Sequence, residues 1–173
     1  MMLGALVAAA AVLLIAAGLA KLRTPDPAAT MLRGFWPRLR GRGYARTAGV
    51  VEVLSGTVAL LWGNTIALAV CYLALLVVAV RLATRPQRAA CGCFGAADGE
   101  VGVAHIVLDA VCLAVAAAAV VATSQSLIDL VSRGTLSAII VTAQAFLLAA
   151  LGYLCITALP ALSSARRSLE ALR

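Results

Sequence analysis

The sequence predicts an all-α protein, a polytopic transmembrane helical bundle of about five spans, on three observations. Hydrophobic residues make up 64 % of the 173 positions and the mean hydropathy is +1.05, which excludes an ordinary soluble globule. Charged residues are only 12 % and nearly all fall between the apolar runs, where the lipid interior requires them to be. Several of those runs reach the roughly 20 residues that a helix needs to cross hydrocarbon. The length suits one domain, so residues 1–173 read as a single membrane domain.

The first run, residues 2–20, ends at Lys21-Leu22-Arg23. It lacks the charged start of a signal peptide and reads as a retained first span. From Lys21 to Arg46 the chain turns polar, with Pro25, Pro27, Pro37, Gly34, Gly41 and Gly43 breaking any long helix. Seven basic residues there face one acid, Asp26, and the interspersed Phe35, Trp36 and Tyr44 suit a segment at the headgroup level.

The apolar stretch 48–80 would be about 50 Å long as one helix, too long for a hydrocarbon core of about 30 Å. Trp62-Gly63-Asn64 splits it into spans 48–62 and 64–80, because Gly and Asn suit a tight turn and Trp suits an interface. Residues 81–102 are polar and contain Cys91-Gly92-Cys93-Phe94-Gly95. The fourth span is 103–121, a polar to amphipathic connection follows, and the fifth span is 135–159, closed by Pro160 and followed by Arg166, Arg167 and Arg173.

With five spans, connections 21–46 and 81–102 and the C-terminal tail share one side, carrying seven, three and three basic residues, against Arg133 on the other. The positive-inside rule then puts the cysteine loop in the cytoplasm and the N-terminus outside. The net charge of +7 is explained by this asymmetry against an anionic leaflet, and no nucleic-acid partner is expected.

Of five cysteines, Cys91 and Cys93 lie in a polar loop, whereas Cys71, Cys112 and Cys155 lie in apolar runs, where single cysteines usually act as small hydrophobes. Residues two apart close a disulfide only by bending the backbone between them, which Gly92 permits, and the small ring would be readily reduced. Arg81, Arg85 and Arg88 precede the pair and a helix N-terminus follows it, so positive potential favours the thiolate. In the fourth span His105, Asp109 and Cys112 share one helical face. Ionisable residues inside a membrane mark functional paths, and His105 suits proton exchange with a cysteine or orientation of Asp109. Cys91, Cys93, His105 and Asp109 are therefore the candidate catalytic set. Lys21 and Glu52, near the same membrane face, form a candidate structural ion pair, and Cys71 and Cys112, near mid-membrane, a candidate thiol relay. Gly49 and Gly56 permit close helix packing, within the chain or in a homo- or hetero-oligomer.

Ala20-Lys21-Leu22-Arg23 with Pro25 closing the first span, Glu52-Val53-Leu54-Ser55-Gly56 in the second, Cys91-Gly92-Cys93-Phe94-Gly95 after the third and Asp109 in the fourth resemble one known family. It is the methylamine-utilisation protein E (MauE) branch of the DoxX-like membrane proteins. The resemblance covers residues 1–121, and the cysteine pentapeptide is its specific part. It implies a four-helix DoxX-like core, with residues 122–173 adding a C-terminal span and a basic tail. It further implies a redox pair Cys91 and Cys93, a polar framework of Lys21, Glu52 and Asp109, and thioredoxin-like partners in disulfide formation or electron delivery. The setting it implies is the inner (plasma) membrane of a bacterial cell. Partners of the family are placed on the outer face, so the resemblance and the charge count differ on the side.

The expected function is thus membrane thiol-disulfide exchange through the Cys91 and Cys93 pair, as a thiol-disulfide oxidoreductase working with a thioredoxin-like protein. Quinone, or the buried cysteines, would accept electrons. An alternative is binding or transport of a soft ion such as Cu, Zn or Hg through Cys91, Cys93 and His105. A third is a structural subunit of a membrane complex.

Overall fold

The structure, a computed structural model, describes residues 2–35, 41–84, 103–122, 128, 132 and 134–170. The cysteine pair Cys91 and Cys93, with Arg85 and Arg88, lies outside the described residues. Every regular element among the described residues is a helix, and five are long and apolar enough to cross a membrane.

Helix α1 spans Met2–Arg23, with Lys21 and Arg23 in its last turn, where cations suit the negative end of the helix dipole. Thr24 ends it, and both its backbone N–H (2.8 Å) and its hydroxyl (3.0 Å) donate to the Ala20 carbonyl. Helix α2, Asp26–Phe35, follows at once. The Ala29 N–H donates to the Pro25 carbonyl at 2.9 Å, and Pro27 falls in the first turn, where a missing N–H leaves no intrahelical bond unmade. The prolines and glycines of the connection therefore still leave room for a short helix.

Helix α3, Arg42–Trp62, begins six residues before the apolar run that marked it in the sequence. Its first turns carry the exposed Arg42 and Arg46 on one side and the fully buried Ala45 on the other. It stops at Gly63, whose φ of 69° is the left-handed conformation that glycine adopts without a Cβ penalty, and whose N–H donates to the Ala59 carbonyl at 3.0 Å. Asn64 then caps helix α4, Thr65–Ala83, its Oδ1 accepting from the Ile66 N–H at 3.3 Å. The two residues turn the chain into an antiparallel hairpin.

Helix α5 is Val103–Ala122 and helix α6 is Thr135–Glu170. The apolar span of α6 is Thr135–Cys155. Pro160 was expected to close the fifth span, yet the helix continues to Glu170. A proline deletes one backbone donor and crowds one carbonyl, and the good helix formers after it, Ala161, Leu162 and Ala165, carry the helix on.

Half of the span window of α1 is buried, against 22–28 % in the other four, so α1 is the central helix, packed on α3, α5 and α6. Leu14 and Leu68 are almost fully buried beside Ala10, Ala11 and Ala116. The closest approach is between α1 and α3, where a Cβ on Gly18 would lie 2.6 Å from the Gly49 carbonyl oxygen. A Cβ on Gly56 would lie 2.8 Å from the Ala11 carbonyl oxygen. The small residues of α3 are thus used inside the chain. Helix α2 lies across one end of the bundle, with Ala28, Ala29 and Leu32 on Ala45 of α3, and Met31 against Ala79 and Leu82 of α4, on which Ile106 of α5 also packs. The exposed Asp26 and Arg42 join the starts of α2 and α3 through two hydrogen bonds, 2.5 and 3.0 Å.

Gly49→Val is expected to destabilise the protein by about 1–3 kcal/mol, the usual cost of overpacking. Gly4→Ala serves as control, because an added Cβ there meets nothing within 4 Å. Unfolding midpoints in detergent check both: the first falls and the second holds.

Candidate functional site

The end of the bundle beneath α2 collects buried polar side chains from four helices. Lys21 lies one turn past Gly18 on the face of α1 that meets α3, and Glu52 lies between Gly49 and Gly56 on the matching face of α3. The glycine contacts bring the backbones together, and the two long side chains then meet with no room for water. Lys21 Nζ donates to Glu52 Oε1 at 2.5 Å and to Oε2 at 2.6 Å. Lys21 is 3 % exposed and Glu52 6 %.

From α5, His105 and Cys112 are buried, at 3 % and 6 % exposure. Asp109, half-buried between them, lies near enough to Lys21 and Glu52 to interact electrostatically with both. Helix α5 packs on α4 and α1, and the face carrying these three residues is the one that puts Cys112 in the core with Ala10 and Leu14 of α1 and Tyr72 of α4. Deeper still, Tyr72 of α4 donates its hydroxyl hydrogen to the Ala10 carbonyl at 2.7 Å and lies in the same buried cluster as Cys112. Lys21 and Ala10 are about 16 Å apart along α1 by helical rise. The polar groups therefore form a column from the α2 end of the bundle to about its middle.

Tyr72 is the member that sequence reasoning missed. Its signal was a phenol in the middle of an apolar run, which must find a partner for its hydroxyl when buried. Of the other described cysteines, Cys71 donates to the Ser55 hydroxyl oxygen at 3.4 Å, on the α3 side of α4, and Cys155 is exposed on α6. Cys71, Cys112 and Cys155 are free thiols. Of the candidate relay, Cys71 has the Ser55 hydroxyl as its partner and Cys112 is buried in the core with Tyr72.

Around the same end, Arg23, Arg42, Arg46 and Arg81 are exposed. They surround the mouth of the column with positive charge at the level of lipid headgroups. A cavity of about 140 Å³ lies in the other half of the bundle, between α1, α3 and α6. Val7, Ala8, Ala59, Val141 and Phe146 line it, with Thr142 contributing a hydroxyl, and it holds no titratable group.

The chemistry available to the column is proton handling and charge compensation. Carboxylate, ammonium, imidazole, phenol and thiol groups stand together where water is excluded, so each protonation state is felt by its neighbours. The ion pair also fixes the register of α1 on α3. Lys21→Met is expected to cost about 3–5 kcal/mol by leaving Glu52 buried without its counter-charge. Lys21→Met/Glu52→Leu is expected to be less damaging than Lys21→Met alone, and a double-mutant cycle of unfolding free energies in detergent checks this.

Comparison with known protein families matches residues 1–123 to the family model described as Methylamine utilisation protein MauE. Comparisons with curated proteins and with solved structures found no match. The matched region takes in α1 to α5, the whole polar column and the segment that carries Cys91 and Cys93. With more than half of its length matched, this five-span membrane chain belongs to the MauE family.

Proposed function

We propose that the protein is a membrane thiol-disulfide exchanger whose Cys91 and Cys93 trade disulfides with a thioredoxin-like partner. The observation that carries this reading is the position of the polar column. The α4–α5 connection holding both cysteines leaves from Thr84 and returns at Val103, at the same end of the bundle as Lys21, Glu52, His105 and Asp109. Both ends of that connection are anchored at the end of the bundle that carries the titratable groups and the exposed arginines, and positive potential favours a thiolate.

In the reaction, the thiolate of one cysteine attacks a sulfur of the partner disulfide. A mixed disulfide forms and the other partner sulfur leaves as a thiol. The second cysteine then attacks the mixed disulfide, so the pair is oxidised by two electrons and the partner is reduced by two. The reverse sequence oxidises the partner. His105 and Asp109 exchange protons with the reacting thiols, and the Lys21–Glu52 pair holds the helices that carry them. The charge distribution orients the loop to the cytoplasmic side of the plasma membrane, with the N-terminus outside.

A thiol-reactive mass tag applied to native membranes before and after reduction is expected to find the pair in both redox states. A pair that is never oxidised sinks the proposal. Stoichiometric soft metal that disappears with Cys91→Ser/Cys93→Ser would replace it with metal binding, and unaltered cellular function of that variant would replace it with a structural role. Attachment of a membrane-impermeant maleimide to a loop cysteine is expected from the cytoplasmic face only, and labelling from outside would reverse the orientation.

A further inference from the structure

The Lys21–Glu52 pair does more than join two helices, because a second carboxylate stands beside it. Both Glu52 oxygens are taken by Lys21 Nζ, so the ammonium is already matched when Asp109 adds its own charge. Asp109 interacts electrostatically with both members of the pair. Two acids and one lysine leave a negative charge in excess inside a water-excluded bundle, and an unmatched charge there carries a large penalty. The cluster becomes neutral on taking up one cation.

A proton is the cation that suits it. Lys21 at its centre repels a metal ion, and the described residues bring no three His, Cys, Asp or Glu side chains together in a metal-holding arrangement. The titratable groups whose charges interact with that of Asp109 are Lys21 from α1, Glu52 from α3, Tyr72 from α4 and Cys112 from α5, with His105 one helical turn away on α5. From α6 the neighbour of α5 is Gly152, against Leu108, and from α2 it is Met31, near Ile106. His105 lies one helical turn from Asp109 toward the start of α5, the end at which the cysteine connection rejoins the bundle.

We infer that Lys21, Glu52, His105 and Asp109 form a proton-loading site, which holds one exchangeable proton and passes it to and from the thiols during disulfide exchange. The transfer role rests on the disulfide reading above. As a cysteine sulfur attacks the partner disulfide, its proton moves to the site; the old sulfur–sulfur bond breaks, a new one forms, and the leaving partner thiolate takes the proton. The second attack repeats the step, so two protons and two electrons pass from the pair to the partner. Glu52 and Lys21 thereby become part of the working site.

The test uses the full chain in lipid nanodiscs. Infrared spectra recorded against pH, in water and in deuterated water, are expected to show one titrating carboxyl or imidazole band. Asp109→Asn or Glu52→Gln, each leaving one acid for one lysine, is expected to abolish that titration, whereas Cys91→Ser/Cys93→Ser keeps it. A titration that survives both carboxyl variants overturns the site, as does the absence of any band. The second measurement follows exchange with oxidised glutathione, the probe disulfide, against pH. Asp109→Asn is expected to slow exchange about 100-fold and remove one limb of the profile, with most of the rate restored by Asp109→Glu. If Asp109→Asn does not fold, Glu52→Gln takes its place in both measurements. A variant profile superimposable on that of the unaltered protein overturns the transfer role. An unaltered protein that exchanges with no disulfide would defeat the disulfide reading and the transfer role together, and the infrared titration would still decide whether the proton site exists.

Discussion

The contact between α1 and α3 is the constraint on which the rest depends. Gly18, Gly49 and Gly56 bring the two backbones so close that even one methyl group would strike a carbonyl oxygen or the Ile15 side chain. In lipid, helices gain little from hiding apolar surface from one another, so association relies on close packing and on polar contacts between helices. Here the two are linked. The glycine contacts set the distance, and that distance lets Lys21 reach both oxygens of Glu52. A looser interface would leave two charges in hydrocarbon without contact.

That arrangement has an asymmetric energy. Removing both charges in favour of apolar groups of similar volume would sacrifice little stability, while removing one would sacrifice much. A buried ion pair is therefore a poor device for stability alone. In this bundle it sits beside Asp109, near His105, Cys112 and Tyr72, at the only described end to which the cysteine connection is tethered. The polar groups are concentrated in one half of the bundle, whereas the other half holds an apolar cavity and the Trp62 turn. Such segregation suits chemistry conducted at one membrane face.

Helix α2 gives that face its roof. Its buried residues are small, Ala28 and Ala29, and they rest on Ala45, which is fully buried. Met31 extends the contact to Ala79 and Leu82 of α4. The helix thereby joins two spans at the end of the bundle where the cysteine connection begins.

Much of the architecture was legible from residue types alone. Apolar runs of spanning length, charges concentrated in the connections, and a Gly-Asn pair beside Trp62 are local signals, and local signals suffice for the five-span fold because lipid forces each backbone to bond with itself. The i, i+4, i+7 spacing of His105, Asp109 and Cys112 likewise identified one helical face. What no local pattern contained was the partner of that face. Helix α2 was hidden by its prolines and glycines, the continuation past Pro160 by a rule that neighbouring helix formers override, and Tyr72 by its ordinary place in an apolar run. Sequence by itself determined which segments span and which residues are costly to bury. Only the tertiary structure decided that Asp109 acts on the Lys21–Glu52 pair expected from the sequence, because that depends on which side α5 packs.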